Sequence, residues 1–171
     1  GRMTAGNKNG LLGPSSITDE EETVLKAQLP SNVTLAKVDD KLSALGNVII
    51  ANDRVALLHP DLDPETEAIV QNVLNVEAFK KTIASNALVG SYCCLSNKGG
   101  LVHPACGVAE LEELATLLQV PLVNGTINRG SVAIASGIVA NDTDAFVGTE
   151  TTATELSVVE AIFKLGEEKK D

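Results

Sequence analysis

The sequence predicts an α/β fold of the α+β kind, assembled from repeated strand–strand–helix–strand units. The first observation is an asparagine that recurs at Asn7, Asn52, Asn97 and Asn141, at intervals of 45, 45 and 44 residues. About seven residues after each asparagine, a small apolar pair is followed by Pro or Gly. The second observation is a helix-start signal that recurs with the same spacing. A fixed period of this length indicates an array of one supersecondary unit whose copies pack against each other.

About four copies fit into the 171 residues. We expect a single repeat domain over 1–165, followed by a charged tail at 166–171. The predicted copies 1 to 4 are 1–45, 46–89, 90–136 and 137–165.

Copy 2 shows the plan of the unit most clearly. Three strands are predicted, at 45–51, 55–58 and 76–83. The first strand is an apolar run rich in β-branched residues, and an Asn-Asp turn separates it from the second. Asp63 and Pro64 supply an N-cap and a proline at the first helical position, so a helix is predicted to run to about residue 75.

The other copies repeat the helix. Thr18 with Glu21 and Thr152 with Glu155 have the spacing of a capping box. Helices are predicted at about 19–29, 109–119 and 153–164. Their predicted apolar stripes are Val24, Leu25 and Leu29; Leu111, Leu114 and Leu118; and Leu156, Val159 and Phe163.

Composition excludes several classes of function. The net charge of −10 argues against a nucleic-acid-binding surface, which needs clustered Lys and Arg. Aromatic residues make up only 2%, so stacking platforms for unpaired bases are not expected. The sequence has no run of 18 apolar residues that would span a membrane. An acidic protein of this kind is suited to a basic protein partner.

Cysteine and histidine do not form a recognisable site in the sequence. Cys93 and Cys94 are adjacent on a predicted strand, so their side chains point to opposite faces and cannot grip one metal ion together. His103 and Cys106 offer two ligands, but a second pair at zinc spacing is lacking. An odd number of cysteines indicates free thiols in a reducing compartment. We predict no metal and no cofactor.

His59 and His103 occur in the same His-Pro sequence at the end of the second strand in copies 2 and 3. Their equivalence predicts a structural role at the turn into the helix. The acidic helix starts at 19–22 and 110–113 are interpreted as solvated first turns. The sequences at 99–100 and 128–130 are interpreted as tight turns in which Gly supplies positive φ.

Several long strings carry a resemblance to a known family. They are 42–47, 55–63, 89–93, 97–104, 117–123, 125–131 and 154–160, and the short stretch 1–3 matches as well. The unit resembles that of the pentein, or α/β-propeller, fold. Within that fold the strings are similar to the translation initiation factor six family, the eukaryotic ribosome anti-association factors. The match covers essentially the whole chain. That family has five units, so we expect this chain to be N-terminally incomplete.

The resemblance implies a non-enzymatic factor that binds the large (60S) ribosomal subunit and sterically prevents premature joining of the small subunit. It also implies a role in large-subunit biogenesis, with localisation in the cytoplasm and the nucleus or nucleolus. The implied partners are a basic ribosomal protein near the sarcin–ricin loop, and a release GTPase with its partner protein. Little direct RNA contact, no membrane contact and a monomeric state are expected.

Two other classes of function stay open at this point. The pentein fold includes enzymes that modify guanidino groups with a Cys nucleophile near the C-terminus, a His and two acids. Here the last cysteine is Cys106, and residues 107–171 contain no Cys or His, so we do not predict an enzyme. The other alternative is a generic protein-interaction scaffold without a ribosomal role.

Candidate binding residues come from positions that vary between copies. The residue after the first-strand Gly is Arg2, Asn47, Ser91 or Ile138. In a closed ring these side chains gather on one face near the axis, and the strand ends near residue 130 reach the same face. The predicted ribosome-binding face comprises Arg2, Asn47, Ser91, Asn128, Arg129 and Ser131. The alternative is neutral drift at a rim position.

Overall fold

In the computed structural model, which describes residues 1–166, the chain forms a mixed α/β structure of small sheets and helices. Its strands are β1 Ala5–Gly6, β2 Gly10–Pro14, β3 Thr34–Val38, β4 Ile49–Ala51, β5 Val55–Leu58, β6 Glu77–Lys80, β7 Cys93–Leu95, β8 Gly100–Val102, β9 Leu122–Asn124, β10 Ile138–Ala140 and β11 Ala145–Val147. Its helices are α1 Asp19–Gln28, α2 Leu45–Val48, α3 Pro64–Leu74, α4 Val108–Leu118, α5 Ile134–Gly137 and α6 Ala153–Phe163.

The chain divides into two compact units. Unit 1 comprises 1–82 and 87–90, and unit 2 comprises 83–86 together with the chain from residue 91 onward. Copies 1 and 2 of the repeat fall almost wholly in unit 1, and copies 3 and 4 in unit 2. Of the predicted charged tail, only Gly166 lies within the described residues.

Unit 1 contains two three-stranded sheets with the same topology. In one, β1 and β2 pair antiparallel and β2 and β3 pair parallel; β4, β5 and β6 repeat this arrangement. Parallel neighbours need a crossover connection, which α1 and α3 provide. The strand–strand–helix–strand order predicted from the sequence is therefore confirmed in both copies.

Unit 2 contains a third sheet of this kind and a fourth, shorter one. Strands β7 and β8 pair antiparallel, and after α4 strand β9 pairs parallel with β8. Strands β10 and β11 form an antiparallel pair that is followed by α6.

One side chain organises the hairpin turn in every copy. Its oxygen accepts hydrogen bonds from the N–H groups two and three residues further on, as in Asx and Ser/Thr turns. The residues in this position are Asn7, Asn52, Ser96 and Asn141. The assignment of Asn97 to this series was wrong by one residue, because a serine performs the same role in copy 3.

The first strand of copy 2 is shorter than predicted. Residues Leu45–Val48 form the single helical turn α2, and only Ile49–Ala51 is extended. A buried apolar run does not distinguish strand from helix by its pattern. The turn is fixed by the Gly46 N–H, which donates to the Arg2 carbonyl at 2.8 Å.

The long helices begin where the sequence predicts. Both capping boxes form, with Thr18 accepting from the Glu21 N–H and Thr152 from the Glu155 N–H. Pro64 occupies the first position of α3, although the Asp63 side chain makes no capping hydrogen bond among the described residues.

Each core contains a helix of one copy and a strand of the copy before it. In unit 1, Val70 and Leu74 of α3 belong to the same buried cluster as Leu12 of β2. In unit 2, Val159 and Phe163 of α6 belong to a cluster with Leu101 of β8. Within each unit, the two copies are thus stabilised by the apolar side chains that they bury together.

Two of the predicted apolar stripes need correction. Every residue of α1 is exposed or half-buried, and Val24 is 62% exposed. On α6, Leu156 faces solvent and Glu155 takes the buried position instead. Periodicity located these helices correctly but did not identify which residues are covered.

Candidate binding surface

In unit 1, Arg2 and Asn47 occupy equivalent turns just before a strand. Arg2 is exposed and Asn47 is half-buried. The Arg2 carbonyl accepts from Gly46, and the Asn47 carbonyl accepts from the Gly90 N–H at 3.0 Å. Each carbonyl thus accepts the same backbone hydrogen bond from the equivalent turn of the next copy. The backbone geometry is therefore the same at both positions, while the side chain differs.

Glycine allows these turns to approach each other closely. A Cβ at Gly46 would lie 2.2 Å from the Gly1 carbonyl oxygen. A Cβ at Gly90 would lie 2.1 Å from the Gly46 oxygen and 2.9 Å from the Ile49 oxygen. Backbone atoms cannot move aside as a flexible side chain can, so these positions exclude larger residues.

In unit 2, Ser91 continues the series and corrects the alignment of copy 4. Its carbonyl accepts from the Ala135 N–H at 3.1 Å. Ala135 therefore takes the place of Gly46 and Gly90, and the equivalent of Ser91 in copy 4 is Ser136. The prediction of Ile138 was wrong, because Gly137 does not correspond to Gly46 and Gly90. A Cβ at Gly137 would meet the Ile127 side chain at 2.5 Å.

Three other candidates share one turn of unit 2. Ile127 and Ser131 bond to each other through both backbone N–H groups, at 3.1 and 2.8 Å. Between them Asn128, Arg129 and Gly130 have φ values of 51°, 61° and 86°. The prediction of positive φ at Gly130 is confirmed, but the two preceding residues share it, which is costly for a residue with a side chain.

The other predicted glycine turn has a different cause. Gly99 and Gly100 are not among the described residues with positive φ. A Cβ at Gly99 would lie 2.1 Å from the Ile162 carbonyl oxygen. Glycine is needed there because the backbone of the turn lies directly against α6.

The Asn128 side chain is used within the protein. The Asn128 Oδ1 accepts from the Glu150 N–H at 3.1 Å, and the backbone N–H of Asn128 donates to Thr151 Oγ1 at 3.3 Å. These bonds fasten the turn to the segment before α6. Arg129 is different: its guanidinium lies 3.3 Å from the Glu150 carboxylate, and both side chains are mostly exposed.

Glu155 lies beneath this turn, and sequence reasoning identified it only as a helix cap. Its carboxylate accepts from the Arg129 N–H at 3.0 Å, the Gly130 N–H at 2.7 Å and the Thr126 hydroxyl at 2.8 Å. It also accepts from the Thr152 N–H at 2.9 Å, the largest of the contributions that lower the pKa of the Glu155 carboxyl to about 2. The turn is therefore held by a permanent negative charge at neutral pH.

Acidic residues at two helix starts form a hydrogen bond and an ion pair that the sequence did not predict. Glu110 reaches the Ala84 N–H at 2.8 Å, and Ala84 and Ser85 also have positive φ. In α1, Glu22 lies 2.7 Å from Lys37. The interpretation of these residues as simply solvated was wrong for Glu22 and Glu110.

The histidines have the structural role predicted for them. The His59 Nδ1 accepts from the Asp61 N–H, and the His103 Nδ1 accepts from the Ala105 N–H, each at 3.0 Å. Both rings therefore cap the same turn in successive copies.

The three thiols are free and buried. Burial raises the pKa of Cys93 far above its ordinary value and raises the pKa of Cys94 and of Cys106 to about 11. A thiol that stays protonated at neutral pH is a poor nucleophile and a poor metal ligand.

Within residues 1–166, no group of three or more His, Cys, Asp and Glu side chains is arranged to hold a metal ion. None of the described helices is long and apolar enough to cross a membrane.

Comparison with known proteins shows the family. The model of the eIF-6 family matches residues 1–162. The chain belongs to the eIF-6 family. Eukaryotic translation initiation factor 6-2 of Arabidopsis thaliana is 61% identical over 167 residues, which are 98% of this chain and 68% of the plant protein.

Other relatives carry the same name. Eukaryotic translation initiation factor 6 of Tetrahymena thermophila is 57% identical over 171 residues, covering 100% of this chain and 70% of the relative. That of Saccharomyces cerevisiae is 58% identical over 165 residues, covering 96% and 67%. The family resemblance found in the sequence is confirmed over nearly the whole chain.

Proposed function

We propose that this protein is a ribosome anti-association and large-subunit biogenesis factor. It binds the large (60S) ribosomal subunit and sterically prevents premature joining of the small subunit. Membership of the eIF-6 family supports this proposal, because the similar proteins are named as translation initiation factors. The arrangement of the repeat units as a pentein propeller belongs to the same proposal.

The charge of the protein favours a basic protein as the main contact. A net charge of −10 repels RNA phosphates and attracts a basic ribosomal protein. We propose that this partner lies near the sarcin–ricin loop. Release requires a GTPase with its partner protein, and the factor acts in the cytoplasm and in the nucleus or nucleolus.

On this proposal each unit contributes candidate residues to binding: Arg2 and Asn47 come from unit 1, and Ser91, Asn128, Arg129 and Ser131 come from unit 2. Their backbones are fixed by hydrogen bonds within each unit, which reduces the entropy lost when side chains dock. Arg129 is the strongest anchor candidate, because its guanidinium is 74% exposed and stands on a firmly held turn.

A guanidino-modifying enzyme is disfavoured by the state of the cysteines. All three are buried and their pKa values are raised. A nucleophilic cysteine needs a lowered pKa and a base within hydrogen-bond reach. The His103 Nδ1 already accepts from a backbone N–H.

The test is subunit joining with purified ribosomal subunits, followed by light scattering and by sucrose-gradient sedimentation. We expect the protein to keep large subunits free and to sediment with them and not with small subunits. Normal joining, with the protein at the top of the gradient, would contradict the proposal. Binding to basic proteins in general, without selectivity for the large subunit, would favour the generic scaffold.

A further inference from the structure

The third residue of the long helix contacts the turn of the preceding copy in three successive copies. In unit 1, the Thr66 hydroxyl of α3 donates to Asp40 Oδ2 at 2.8 Å. In unit 2, Glu110 of α4 accepts from Ala84, and Glu155 of α6 accepts from Arg129 and Gly130. In the first case the helix donates and a carboxylate of the turn accepts. In the other two cases the turn donates and a carboxylate of the helix accepts.

The turn held by Glu155 differs from the turn held by Glu110 because the residue whose N–H donates to the carboxylate is an exposed arginine and not an alanine. Arg129 has φ of 61°, a left-handed conformation that is strained for a residue with a side chain. Its N–H donates to the carboxylate of Glu155, a residue that is 8% exposed. Hydrogen bonds to a buried carboxylate are among the stronger ones in proteins, and they offset this backbone strain.

The guanidinium itself has only a weak restraint. Its ion pair with Glu150 joins side chains that are 74% and 62% exposed, and such pairs contribute little in water. The direction in which Arg129 leaves the surface therefore depends mainly on its backbone. That backbone depends on Glu155.

We propose that Glu155 is a positioning residue for ribosome binding: by holding the left-handed turn at 128–130, it orients Arg129 towards the large subunit. This inference rests on the proposed function and adds a residue to it that does not itself touch the ribosome. The Glu155 carboxylate then has two roles. It caps α6 through Thr152, and it holds the turn through the N–H groups of Arg129 and Gly130.

The chain supplies a matched control for each role. Glu21 forms the same capping box with Thr18 at the start of α1, so Glu21→Gln weakens a cap without touching the Arg129 turn. Glu110 holds the equivalent turn at Ala84, so Glu110→Gln loosens a turn that does not carry an arginine. Glu155→Gln keeps the size of the side chain but removes its charge.

The experiment measures two quantities on each variant. Hydrogen exchange of the Arg129 and Gly130 amides, without ribosomes, reports whether the turn is held. Affinity for purified large subunits reports whether binding depends on that turn. We expect Glu155→Gln to accelerate this exchange and to weaken binding roughly tenfold, while Glu21→Gln and Glu110→Gln bind within about twofold of wild type. Arg129→Ala should weaken binding by a similar factor, and the double variant should lose no more than the larger single loss.

Unchanged binding by Glu155→Gln, with exchange at 129–130 accelerated, would overturn the inference. An equal loss of affinity in Glu110→Gln would also overturn it, because the effect would then come from a general loss of rigidity and not from the Arg129 turn. If Glu155→Gln does not fold, Glu155→Asp retains the charge with a shorter reach and should give an intermediate loss; wild-type affinity in that variant would refute the role. A wild-type chain that does not bind large subunits would overturn the proposed function and this inference together.

Discussion

Asp142 receives two hydrogen bonds from Asn97, one from the backbone N–H and one from the side-chain amide, each at 2.8 Å. The two residues are 45 positions apart, which is one period of the repeat. In unit 1 the equivalent Asp53 accepts from the Lys8 N–H at 3.1 Å. In copies 2 and 4, an aspartate that follows the hairpin asparagine thus links the hairpin turn to that of the previous copy.

This link predicts a loss of stability when the carboxylate is removed. Asp142→Ala leaves a half-buried N–H and a side-chain amide without their acceptor, so we expect the free energy of unfolding to fall by about 1–3 kcal/mol. Asp144→Ala is the control, since Asp144 is exposed and its carboxylate accepts from the adjacent Thr143 hydroxyl. It should cost less than about 0.5 kcal/mol. Urea unfolding measures both, and equal losses would contradict the assignment.

The close approach of the turns predicts intolerance of alanine at Gly90. The added Cβ would fall 2.1 Å from a backbone oxygen, so the backbone has to move. We expect a loss of about 1–3 kcal/mol or more, seen as a lower Tm. At Gly107 the same Cβ would meet no heavy atom of the described residues within 4 Å. Gly107 is the N-cap residue of α4, so Gly107→Ala should lower the Tm only by the loss of a weak cap. A drop as large as that of Gly90→Ala would refute the steric explanation.

The sequence predicted what depends on neighbours along the chain. The capping boxes at Thr18 and Thr152 involve residues three positions apart, and both form as predicted. The repeat period located the copies because every copy uses the same hairpin turn. It misplaced Asn97 by one position, since Ser96 and asparagine satisfy the same two N–H groups and a pattern based on asparagine alone overlooks the serine.

What the sequence did not predict depends on contacts between distant residues. Glu155 meets the Arg129 and Gly130 amides across 26 and 25 positions, and nothing local marks it as more than a cap. The exposure of Val24 on α1 likewise depends on contacts between elements that are distant in the sequence. A helix pattern shows which side is apolar, but whether that side is covered depends on the element packed against it.

The thiols are predicted to be inert in the folded protein. Cys93, Cys94 and Cys106 are buried and their pKa values are raised by that burial, so the reactive thiolate is scarce near pH 8. We expect a thiol reagent such as Ellman's reagent to label them only as fast as the protein opens. In urea all three should react at once. Rapid labelling of one cysteine in the native protein would instead revive the enzymatic alternative.

The constant frame around Arg2 and Asn47 predicts variants that lose binding without losing stability. Their backbone carbonyls make the structural contacts, and these remain when the side chain is shortened. Arg2→Ala and Asn47→Ala should each weaken large-subunit binding roughly tenfold. Lys41→Ala, which removes another exposed cation of unit 1, is the control for net charge. Parallel losses of Tm in the first two variants would show that these side chains are structural.

The lowered pKa of Glu155 predicts how stability responds to acid. The folded value of about 2 lies below the ordinary value of 4.5, so between these limits the unfolded chain binds more protons. The stabilisation from this carboxylate is therefore present above about pH 4.5 and is lost as the pH falls towards 2. Glu155→Gln has no proton to bind at this position. Its unfolding free energy should be lower than wild type at pH 7, and the difference should shrink as the pH falls from about 4.5 to 2.

Urea unfolding at several pH values measures this difference directly. Other carboxylates contribute equally to both proteins and cancel, among them Glu22, whose pKa is also lowered to about 2, chiefly by Lys26. Glu22→Gln serves as the comparison, because the Glu22 carboxylate pairs with two surface lysines, Lys26 and Lys37, and salt screens such ion pairs. We expect added salt to diminish the effect of Glu22→Gln and to leave that of Glu155→Gln nearly unchanged. Curves for wild type and Glu155→Gln that stay parallel from pH 7 to 2 would show that the turn at 128–130 does not depend on the charge beneath it.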